Sequence, residues 1–342
     1  MSNRPTIKDL AFAAGVSTAT VDRVLNSRTQ VRSVTAERVL LAAEEIGYHG
    51  SNLLKIRYQE SKPKRTVRFL LQRETDPFYQ ALGNALEREA ALVTHLNLNC
   101  EIVFMDEVTP NCIASNLRNC DDVAAVGVVA LDHQSVIAEV ESLYQKHIPT
   151  VALLSDLSTD RYAGYIGWDS QKVGRTAAWT IDKLCRKSGK IAVLLGSHRY
   201  LGQQLSETSF INYFRERGER FTVIPPVLNL DDDRLAAEST AELLDSHPDI
   251  VGIYSAGGGY NGMIQTLRQE KGPHEIIAVC NELTEETRLA LRDGYIQMAI
   301  NTPIATVARA AISRLSHLIT VSTEITPKYD YFNADLYISE NI

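Results

Sequence analysis

From Thr66 onward, short apolar runs alternate with segments of helix length, and this rhythm limits the fold more than any other feature of the sequence. The runs read VRFLL, NCEIVF, VAAVGVVA, IPTVALL, KIAVLL, RFTVIP, DIVGIYS, EIIAVC and MAI. Buried strands that alternate with helices predict parallel sheets with helices on both faces. At roughly 270 residues this part is long for one sheet, so we expect an α/β body of two doubly wound lobes.

The first 48 residues have a different pattern, which predicts three short helices. Thr6 with Asp9 three residues later is a helix-capping pair, Gly15 interrupts the first helix, and Ser17 can cap the second. Apolar residues at helical spacing form the inward faces of the second and third helices: Val21, Val24, Leu25, Val39, Ala42, Ala43 and Ile46. We therefore expect an all-α domain over residues 1–48.

Residues 49–65, HGSNLLKIRYQESKPKR, are polar and basic, as is typical of a linker between domains. Residues 1–65 hold 11 Lys or Arg and 6 Asp or Glu, a balance of +5, although the whole chain has a net charge of −7. The remaining residues therefore carry a net charge of −12. An acidic body with a basic head is expected to approach nucleic acid through the head alone.

The sequence gives no indication of export, membrane insertion or metal binding. It has no apolar run of signal-peptide length behind a basic start, and none approaches the roughly 20 residues of a membrane span. Five cysteines without a C-x-x-C spacing favour reduced thiols over disulfides or a zinc site. We expect a cytoplasmic protein with no cofactor, no metal and no membrane partner.

The segment AFAAGVSTATVDRVLNSR has the spacing of a helix-turn-helix, whose second helix enters the major groove with its N-terminal end. Thr18 and Ala19 lie at that end, and Asp22 and Arg23 follow one turn later on the same outward face. Arg23 is the best candidate for reading a base, because its guanidinium can pair with O6 and N7 of guanine. Side chains suited to phosphate contacts are Thr6, Ser17, Thr20 and Asn26.

TIKDLAFAAGVSTATVDRVLN, followed by Val31 and by residues 35–48 ending in IGY, resembles the LacI/GalR family of bacterial transcription regulators. The resemblance implies base-reading positions at Thr18, Ala19 and Arg23. The positions that approach the DNA backbone or pack at the groove are Ser17, Thr20, Asn26 and Val31. Asp22 replaces the serine that is usual in this motif, and its carboxylate either accepts from a cytosine amine or is neutralised by Arg23.

In that family the linker folds into a hinge helix on DNA and inserts a leucine into the minor groove. Here Gly50 stands where proline is usual, and Arg57 falls near the position of the leucine. Leu53, Leu54 or Ile56 can supply the wedge, or Arg57 can enter a narrow minor groove electrostatically.

The resemblance continues over nearly the whole chain and implies a two-lobed body similar to periplasmic sugar-binding proteins of type I, with three crossing strands between the lobes. Residues 66–342 form this effector-binding and dimerisation part. Lobe 1 is expected over about 66–168 and 302–328, and lobe 2 over about 169–300 and 329–342.

Ligands of doubly wound sheets bind beyond the carboxyl ends of the strands, so the residues just after the apolar runs are candidates for effector binding. They are Asp76, Phe78, Tyr79, Asp132, Asp169, Arg199, Asn261, Asn281, Glu282 and Asn301. Aromatic faces stack on sugar rings and paired polar groups meet hydroxyls, although Asp and Asn also cap helices and Phe78 can be a core residue. Arg199 and Asp169 together can grip adjacent hydroxyls, whereas Arg199 alone can hold a carboxylate or phosphate. The expected effector is a sugar, a cyclitol or a sugar acid.

Two other functions compete with this interpretation. Gly257-Gly-Gly259-Tyr-Asn-Gly262 matches the G-x-G-x-x-G pattern of dinucleotide-binding oxidoreductases, and Glu282 follows 20 residues later. Tyr260 and Asn261 would crowd a pyrophosphate, however, and doubly wound sheets need glycines at such turns. A non-regulatory sugar-binding protein would need an export signal.

The sequence therefore predicts a transcription regulator that is not an enzyme and whose affinity for double-stranded operator DNA depends on a small polar effector. Most relatives repress and release DNA when the ligand binds, whereas others need a co-repressor, so the sign of control stays open. A homodimer or a dimer of dimers is expected, because two recognition helices roughly 34 Å apart match a near-palindromic operator. Closure of the lobes around the ligand would rotate the head-bearing lobes.

Overall fold

A computed structural model describes residues 4–26, 31–60, 62–321 and 325–342, with the backbone alone for Ser33, Arg57, Gln59 and Glu60. The amino-terminal part is helical, as the sequence predicted. Its helices are α1 (Ile7–Ala13), α2 (Thr18–Asn26), α3 (Ser33–Glu45) and α4 (Ser51–Glu60).

The first helices begin and end where the sequence signals lie. The side chain of Thr6 accepts a hydrogen bond from the backbone N–H of Asp9, and the Asp9 carboxylate accepts from the backbone N–H of Thr6 at 2.7 Å. Gly15 follows α1 with φ +61°, in the left-handed region that glycine enters without steric cost. The Ser17 hydroxyl then accepts from the backbone N–H of Thr20 at 3.1 Å, which caps α2.

The four helices share one apolar core. Its buried members are Leu10, Ala11, Ala14, Val21, Val24, Ala36, Val39, Leu40, Ala42, Ala43, Tyr48 and Leu54. Leu54 belongs to α4 and is 1% exposed, so much of the segment expected as a linker is a helix that packs on the head.

The strands of the body lie where the apolar runs predict them. They are β1 (Lys64–Leu71), β2 (Asn97–Phe104), β3 (Ala125–Val128), β4 (Thr150–Leu153), β5 (Gly164–Trp168), β6 (Gly189–Leu195), β7 (Phe221–Val223), β8 (Val227–Leu228), β9 (Ile250–Ser255), β10 (Ile277–Asn281), β11 (Met298–Asn301), β12 (Lys328–Phe332) and β13 (Asp335–Tyr337).

Helices separate most of these strands. They are α5 (Pro77–Ala91), α6 (Pro110–Arg118), α7 (Gln134–Gln145), α8 (Ser170–Leu184), α9 (Leu201–Arg215), α10 (Asp233–Ser246), α11 (Tyr260–Glu270), α12 (Glu285–Asp293) and α13 (Ile304–Thr320), and a short 3₁₀ helix, Ser339–Asn341, follows β13.

The strands form two sheets. The first has the order β12-β5-β4-β3-β1-β2 and the second the order β13-β11-β10-β9-β6-β7, with β8 also paired to β6. The pairs of β3 with β4, β4 with β5, β6 with β9 and β9 with β10 are parallel, and β13 is antiparallel to β11. In both sheets the strand order departs from the chain order, which is the doubly wound α/β arrangement predicted from the sequence.

The chain passes between the sheets after Trp168, after Asn301 and after Phe332. The last crossing differs from the expected lobe boundary. We assigned residues 329–342 to the second lobe, but β12 pairs with β5 of the first sheet through the pair Phe332–Trp168. A parallel edge position was available beside β5, so the chain completes this strand before it crosses, and only β13 joins the second sheet.

Each sheet is covered by apolar side chains. Val126, Val128 and Ala152 lie in a core with helices α6 and α7 on the first sheet, whereas Ile191, Val193 and Val279 pack under α8 and α9 on the second. In the second sheet Ser255 is level with Cys280, and Asn281 is level with Ile300. The carboxyl ends of β9, β10 and β11 therefore reach one common edge.

Two further features concern helices and thiols. Among the described residues, no helix combines the length and the apolar character needed to cross a membrane. All five cysteines are free thiols, and Cys120, Cys185 and Cys280 are buried.

Candidate functional site

A cavity of about 450 Å³ lies at the carboxyl ends of strands from both sheets. Ligand pockets for small molecules have volumes in this range. The residues that line it are Gln72, Arg73, Thr75–Tyr79, Val129, Leu154, Ser155, Trp168, Tyr200, Gly202, Gln203, Ser206, Asp231–Arg234, Ala256–Asn261, Asn281, Glu282 and Thr302. The lining is thus a mixture of aromatic rings, carboxylates, amides and hydroxyls.

Several residues predicted to bind the effector line this cavity, and others do not. Those in the lining are Asp76, Phe78, Tyr79, Asn261, Asn281 and Glu282. Those outside it are Asp132, Asp169, Arg199 and Asn301. The structure thus brings together the predicted residues that follow β1, β9 and β10.

The predicted residues outside the cavity have neighbours of their own. The Asp132 carboxylate accepts from the backbone N–H and the hydroxyl of Ser158 at 2.9 and 2.7 Å. Asp169 caps α8 and forms an ion pair with Lys172 at 3.2 Å. Asp169 therefore caps a helix, which is the alternative that the sequence had left open, whereas Asp132 holds the segment at Ser158.

Arg199 and Asn301 likewise lie away from the lining. Arg199 is exposed, and its backbone carbonyl accepts from the backbone N–H of Asp132 at 2.8 Å. The Asn301 side-chain oxygen accepts from the backbone N–H of Leu283 at 2.9 Å. The predicted contact of Arg199 and Asp169 with adjacent ligand hydroxyls stays a prediction, and neither residue lines this cavity.

The loop after β1 brings an acid and two aromatic rings to the cavity. The Asp76 carboxylate accepts from the backbone N–H of Phe78 at 2.9 Å, which fixes the start of α5. The rings of Phe78 and Tyr79 meet edge to face with centroids 5.1 Å apart. Burial raises the pKa of Asp76, and the nearby Asp233 raises it further.

Asp231 is a cavity residue that the sequence analysis missed. Its carboxylate accepts from the backbone N–H of Gly258 at 2.6 Å and from the Gln203 amide at 3.4 Å. A Cβ on Gly196 would lie 2.0 Å from a carboxylate oxygen of Asp231, and a Cβ on Gly257 would lie 2.5 Å from it. Glycines at these turns therefore make the space in which this carboxylate lies.

Glu282 links the cavity to a crossing between the sheets. Its carboxylate accepts from the hydroxyl of Thr302 at 2.6 Å and from the backbone N–H of Thr302 at 3.2 Å. Thr302 lies between β11 and α13, where the chain returns to the first sheet. Burial raises the pKa of Glu282 to about 7, the hydrogen bonds from Thr302 oppose this shift, and Asp76 adds to it.

Two polar atoms of the lining are buried without a hydrogen-bond partner in the described structure: the Ser155 hydroxyl and the Asn261 side-chain oxygen. Ser155 is 4% exposed. Asn261 donates from its amide nitrogen to Asp233 at 3.0 Å, which leaves its oxygen unpaired. Buried polar atoms without partners cost free energy, so both atoms are places where a ligand would contribute hydrogen bonds.

The head presents the predicted DNA-binding residues on α2 and beside it. Thr18, Ala19 and Arg23 are exposed, and Thr20 is half-buried with its hydroxyl 2.9 Å from that of Ser17. Val31 is half-buried against the head core. The outer face of α2 is thus free of packing within the head.

Asp22 has a partner that the sequence analysis did not consider. Its carboxylate accepts from the Asn26 amide at 2.7 Å, one turn later on α2. The two partners that the sequence suggested for the Asp22 carboxylate were a cytosine amine and Arg23. Both would have to compete with the neutral Asn26 amide of the same helix.

The wedge candidates on α4 differ in exposure. Leu54 is buried in the head core, whereas Leu53 and Ile56 are about half exposed. Arg57 belongs to α4, but its side chain lies outside the described part of the structure. With α4 packed as described, Leu53 and Ile56 are the leucine-like side chains available to a partner.

Comparison with known families agrees with both parts of the chain. Residues 6–51 match the family described as bacterial regulatory proteins, lacI family, and residues 69–321 match the periplasmic binding protein domain. The body of the chain belongs to the periplasmic binding protein domain family. The head and body are therefore a LacI-type DNA-binding domain and a periplasmic-binding-protein-like domain.

Several curated proteins resemble this chain. The ribose operon repressor of Halalkalibacterium halodurans is 27% identical over 254 residues, which cover 73% of this chain and 71% of that protein. The HTH-type transcriptional repressor MelR of Bacillus subtilis is 25% identical over 308 residues, or 87% and 80%. The ribose operon repressor of Bacillus subtilis is 38% identical, but the 84 matched residues span only 25% of either chain.

Solved structures match the body of the chain. A glucose-galactose binding protein of Geobacillus stearothermophilus, GanP, has a TM-score of 0.75 at 15% identity and covers 82% of this chain and 99% of its own. A solute-binding protein of Burkholderia graminis in complex with D-arabinose has a TM-score of 0.74 at 18% identity, with coverage of 82% and 97%. At such identities the likeness shows a shared fold.

The glycines that suggested a dinucleotide site have structural tasks in this periplasmic-binding-protein-like body. Gly259 caps α11 with φ +78°. A Cβ on Gly262 would lie 1.8 Å from the backbone oxygen of Asp233, so this glycine permits the close packing of α10 and α11. Gly257 leaves room for Asp231, as described above. Each glycine is therefore explained by the fold without a pyrophosphate.

Asp231 had a signal in the sequence that we did not use. Three consecutive acids, Asp231 to Asp233, follow the run RFTVIP and the short β8, at the same edge as the other site loops. No residue of the loop after that run was among the candidates for effector binding. Arg73 was overlooked for a similar reason, because it lies between the end of β1 and the Asp76 motif.

Proposed function

We propose that this chain is a sequence-specific transcription repressor whose operator affinity is controlled by a small polyhydroxylated ligand bound in the cavity. The cavity itself carries the proposal. Its aromatic faces and paired polar groups are suited to the C–H faces and hydroxyls of sugars and cyclitols. The relatives named as ribose operon repressors support this class of ligand.

DNA recognition is proposed to use the exposed face of α2. Arg23 reads a base in the major groove, while Thr6, Ser17, Thr20 and Asn26 contact phosphates. One head makes too few contacts for genomic specificity, so we propose a homodimer on a near-palindromic operator. We propose residues 1–48 as the DNA-binding domain, 49–65 as the hinge and 66–342 as the body.

The regulator is proposed to act in the cytoplasm without an enzymatic reaction. Relatives named as repressors support this, and the glycine pattern that favoured an oxidoreductase is explained by packing. Ligand binding between the two sheets changes their relative position, and a coupling of about 1–3 kcal/mol to operator binding is typical of such linkage.

The DNA-binding half is tested by substitution of exposed arginines. An operator is selected from random duplexes, and its binding by wild type, Arg23→Ala and Arg38→Ala is compared with binding of point-mutated operators. Arg38 is exposed on α3 and matches the lost charge. R23A should lose discrimination at one base of each half-site, by about 1–3 kcal/mol, whereas R38A keeps it. Equal base preference in the two variants would contradict the assignment.

The ligand-binding half is tested through tryptophan fluorescence. The chain has two tryptophans, of which Trp168 lines the cavity and Trp179 is half exposed on α8. Trp179→Phe leaves a reporter in the cavity, and Trp168→Phe leaves one outside it. Sugars, cyclitols and sugar acids that change operator affinity should change the fluorescence of W179F and leave W168F unchanged. A fluorescence change in W168F with none in W179F would show that the effector binds outside this cavity.

A further inference from the structure

The cavity lining has an excess of negative charge. Its carboxylates are Asp76, Asp231, Asp232, Asp233 and Glu282, against two guanidinium groups, on Arg73 and Arg234. Arg234 already pairs with Glu238 at 2.8 Å, and both side chains of that pair are well exposed. Arg73 is therefore the cation that remains to face these acids in the described lining.

Within the described residues, the hydrogen-bond donors to Asp76, Asp231 and Glu282 are neutral groups. Asp76 accepts from a backbone N–H, Asp231 from a backbone N–H and an amide, and Glu282 from a hydroxyl and a backbone N–H. Within residues 4–26, 31–60, 62–321 and 325–342, no Lys, Arg or His nitrogen is recorded within 4.0 Å of these three carboxylates. A ligand that fills the cavity without a positive charge would leave these carboxylates without a counter-charge.

The three carboxylates also act on one another. Burial raises the pKa values of Asp76, Asp231 and Glu282, and the charge of Asp76 contributes to the shifts at the other two. Arg73 lowers the pKa values of Asp76 and Asp231, but its effect is the smallest of those acting on each. A neutral ligand would leave the repulsion between these carboxylates in place and exclude water from them, whereas a cationic ligand would reduce the repulsion.

Two further features suit this cavity to a ligand whose surface is partly apolar. The Ser155 hydroxyl is 4% exposed and has no hydrogen-bond partner in the described structure. Rings of Phe78, Tyr79, Trp168 and Tyr260 also line the cavity. Aromatic faces attract ammonium groups through the ring quadrupole, and they stack on ring C–H faces as well.

Asp231 is held in place for such a contact. Its backbone has φ +55°, and a Cβ on Gly196, Gly257 or Gly258 would lie within 3 Å of an atom of this residue. These glycines allow one carboxylate, donated to by Gly258 and Gln203, to lie at the cavity surface.

We propose that the effector is a polyhydroxylated amine, such as an amino sugar or an amino cyclitol, whose ammonium group pairs with Asp231 and Asp76 while its hydroxyls meet Ser155, Asn261 and Asn281. This inference rests on the proposed function, because it takes the cavity to be the effector site. It narrows the ligand class from neutral or acidic polyols to cationic ones.

The test compares amines with their neutral parents. Glucosamine, galactosamine, mannosamine and an aminodeoxy-inositol are titrated at pH 7 beside glucose, galactose, mannose and myo-inositol, with Trp168 fluorescence in the W179F protein as the readout. At least one amine should bind at least tenfold more tightly than its neutral parent.

Isosteric variants then assign the charge. Asp231→Asn should reduce affinity for that amine at least tenfold more than it reduces affinity for the neutral parent, because the amide keeps the shape and removes the charge. Asp245→Asn, at an exposed position on α10, is the matched control and should change neither.

Equal or tighter binding of the neutral parents overturns the inference and leaves the proposed function standing. A panel in which no amine binds also overturns it. If the neutral members fail as well and no compound changes operator affinity, the proposed effector site fails too. An amine preference that survives in D231N refutes the pairing with Asp231.

Discussion

Glu282 gives the prediction that follows most directly from the structure. Burial raises the pKa of its carboxyl from the ordinary value of 4.5 to about 7. Below pH 4.5 the folded and unfolded states both carry the proton, and between pH 4.5 and 7 only the folded state carries it. The contribution of this group to stability is therefore full below pH 4.5 and is lost as the pH rises from 4.5 through 7, and the total loss is about 3 kcal/mol.

The perturbation is Glu282→Gln, which removes the titration and keeps an oxygen that can accept from Thr302. Near pH 5 the neutral carboxyl and the amide are similar, so variant and wild type should unfold at similar temperatures. At pH 8 the variant should be more stable by about 3 kcal/mol, because the wild-type carboxylate is charged in a half-buried site. At roughly 2 °C per kcal/mol for a domain of this size, the unfolding temperature of the body should rise by about 6 °C.

Differential scanning calorimetry from pH 5 to 8 measures this difference and separates the body from the head when their transitions differ. Glu270→Gln, at an exposed position on α11, is the matched control and should follow the wild-type pH curve. An advantage of E282Q that is the same at pH 5 and pH 8 would refute the reasoning, because the variant would then act through packing and not through ionisation.

Further predictions concern the head and the cavity. Leu54→Ala should destabilise the head by about 2–5 kcal/mol in thermal unfolding, whereas Leu53→Ala, at an exposed position on the same helix, should change it by less than about 0.5 kcal/mol. Gly196→Ala should abolish effector-induced fluorescence change and spare operator binding, because its Cβ would lie 2.0 Å from the Asp231 carboxylate; normal effector binding would show that the carboxylate can move without consequence. Asp231→Gly should be more stable than Asp231→Ala, because φ is +55° at this position and glycine adopts that conformation without strain. At the helical Asp245 the order of the two variants should reverse, because glycine in a helix costs about 1 kcal/mol relative to alanine. The same order at both positions would show that the backbone at Asp231 is not strained.

Local sequence signals were sufficient for the head and for the order of elements in the body. The Thr6–Asp9 pair and Gly15 depend on backbone geometry within a few residues, so they could be interpreted without the tertiary structure. The apolar runs likewise located the strands, because a buried parallel strand has to be apolar on both faces. The assignment of α2 as the DNA-reading helix rests on these elements and on the family resemblance, and it stays a prediction.

The cavity was harder to predict because membership depends on which loops meet. Asp132 and Asp76 both follow an apolar run, yet Asp132 accepts from Ser158 of its own neighbourhood while Asp76 lines the cavity. Nothing in the two local sequences separates these outcomes. Asp231 follows the short β8, and a pair of residues gives almost no strand signal, so its loop was not recognised as one of the site loops.

Four of the six positive-φ non-glycine residues in the described chain lie in the cavity lining or directly beside it, a pattern that local sequence rules cannot supply. In the described chain, non-glycine residues with positive φ include Leu154, Asp231 and Glu282, all of which line the cavity, and Leu230 immediately before Asp231. Such conformations cost about 1–3 kcal/mol each and persist where the surrounding structure imposes them. Two of these residues are also acids whose pKa values burial raises. Strain and uncompensated charge therefore coincide at the surface that we propose binds the effector, as expected of a site in which binding relieves costs that folding alone leaves in place.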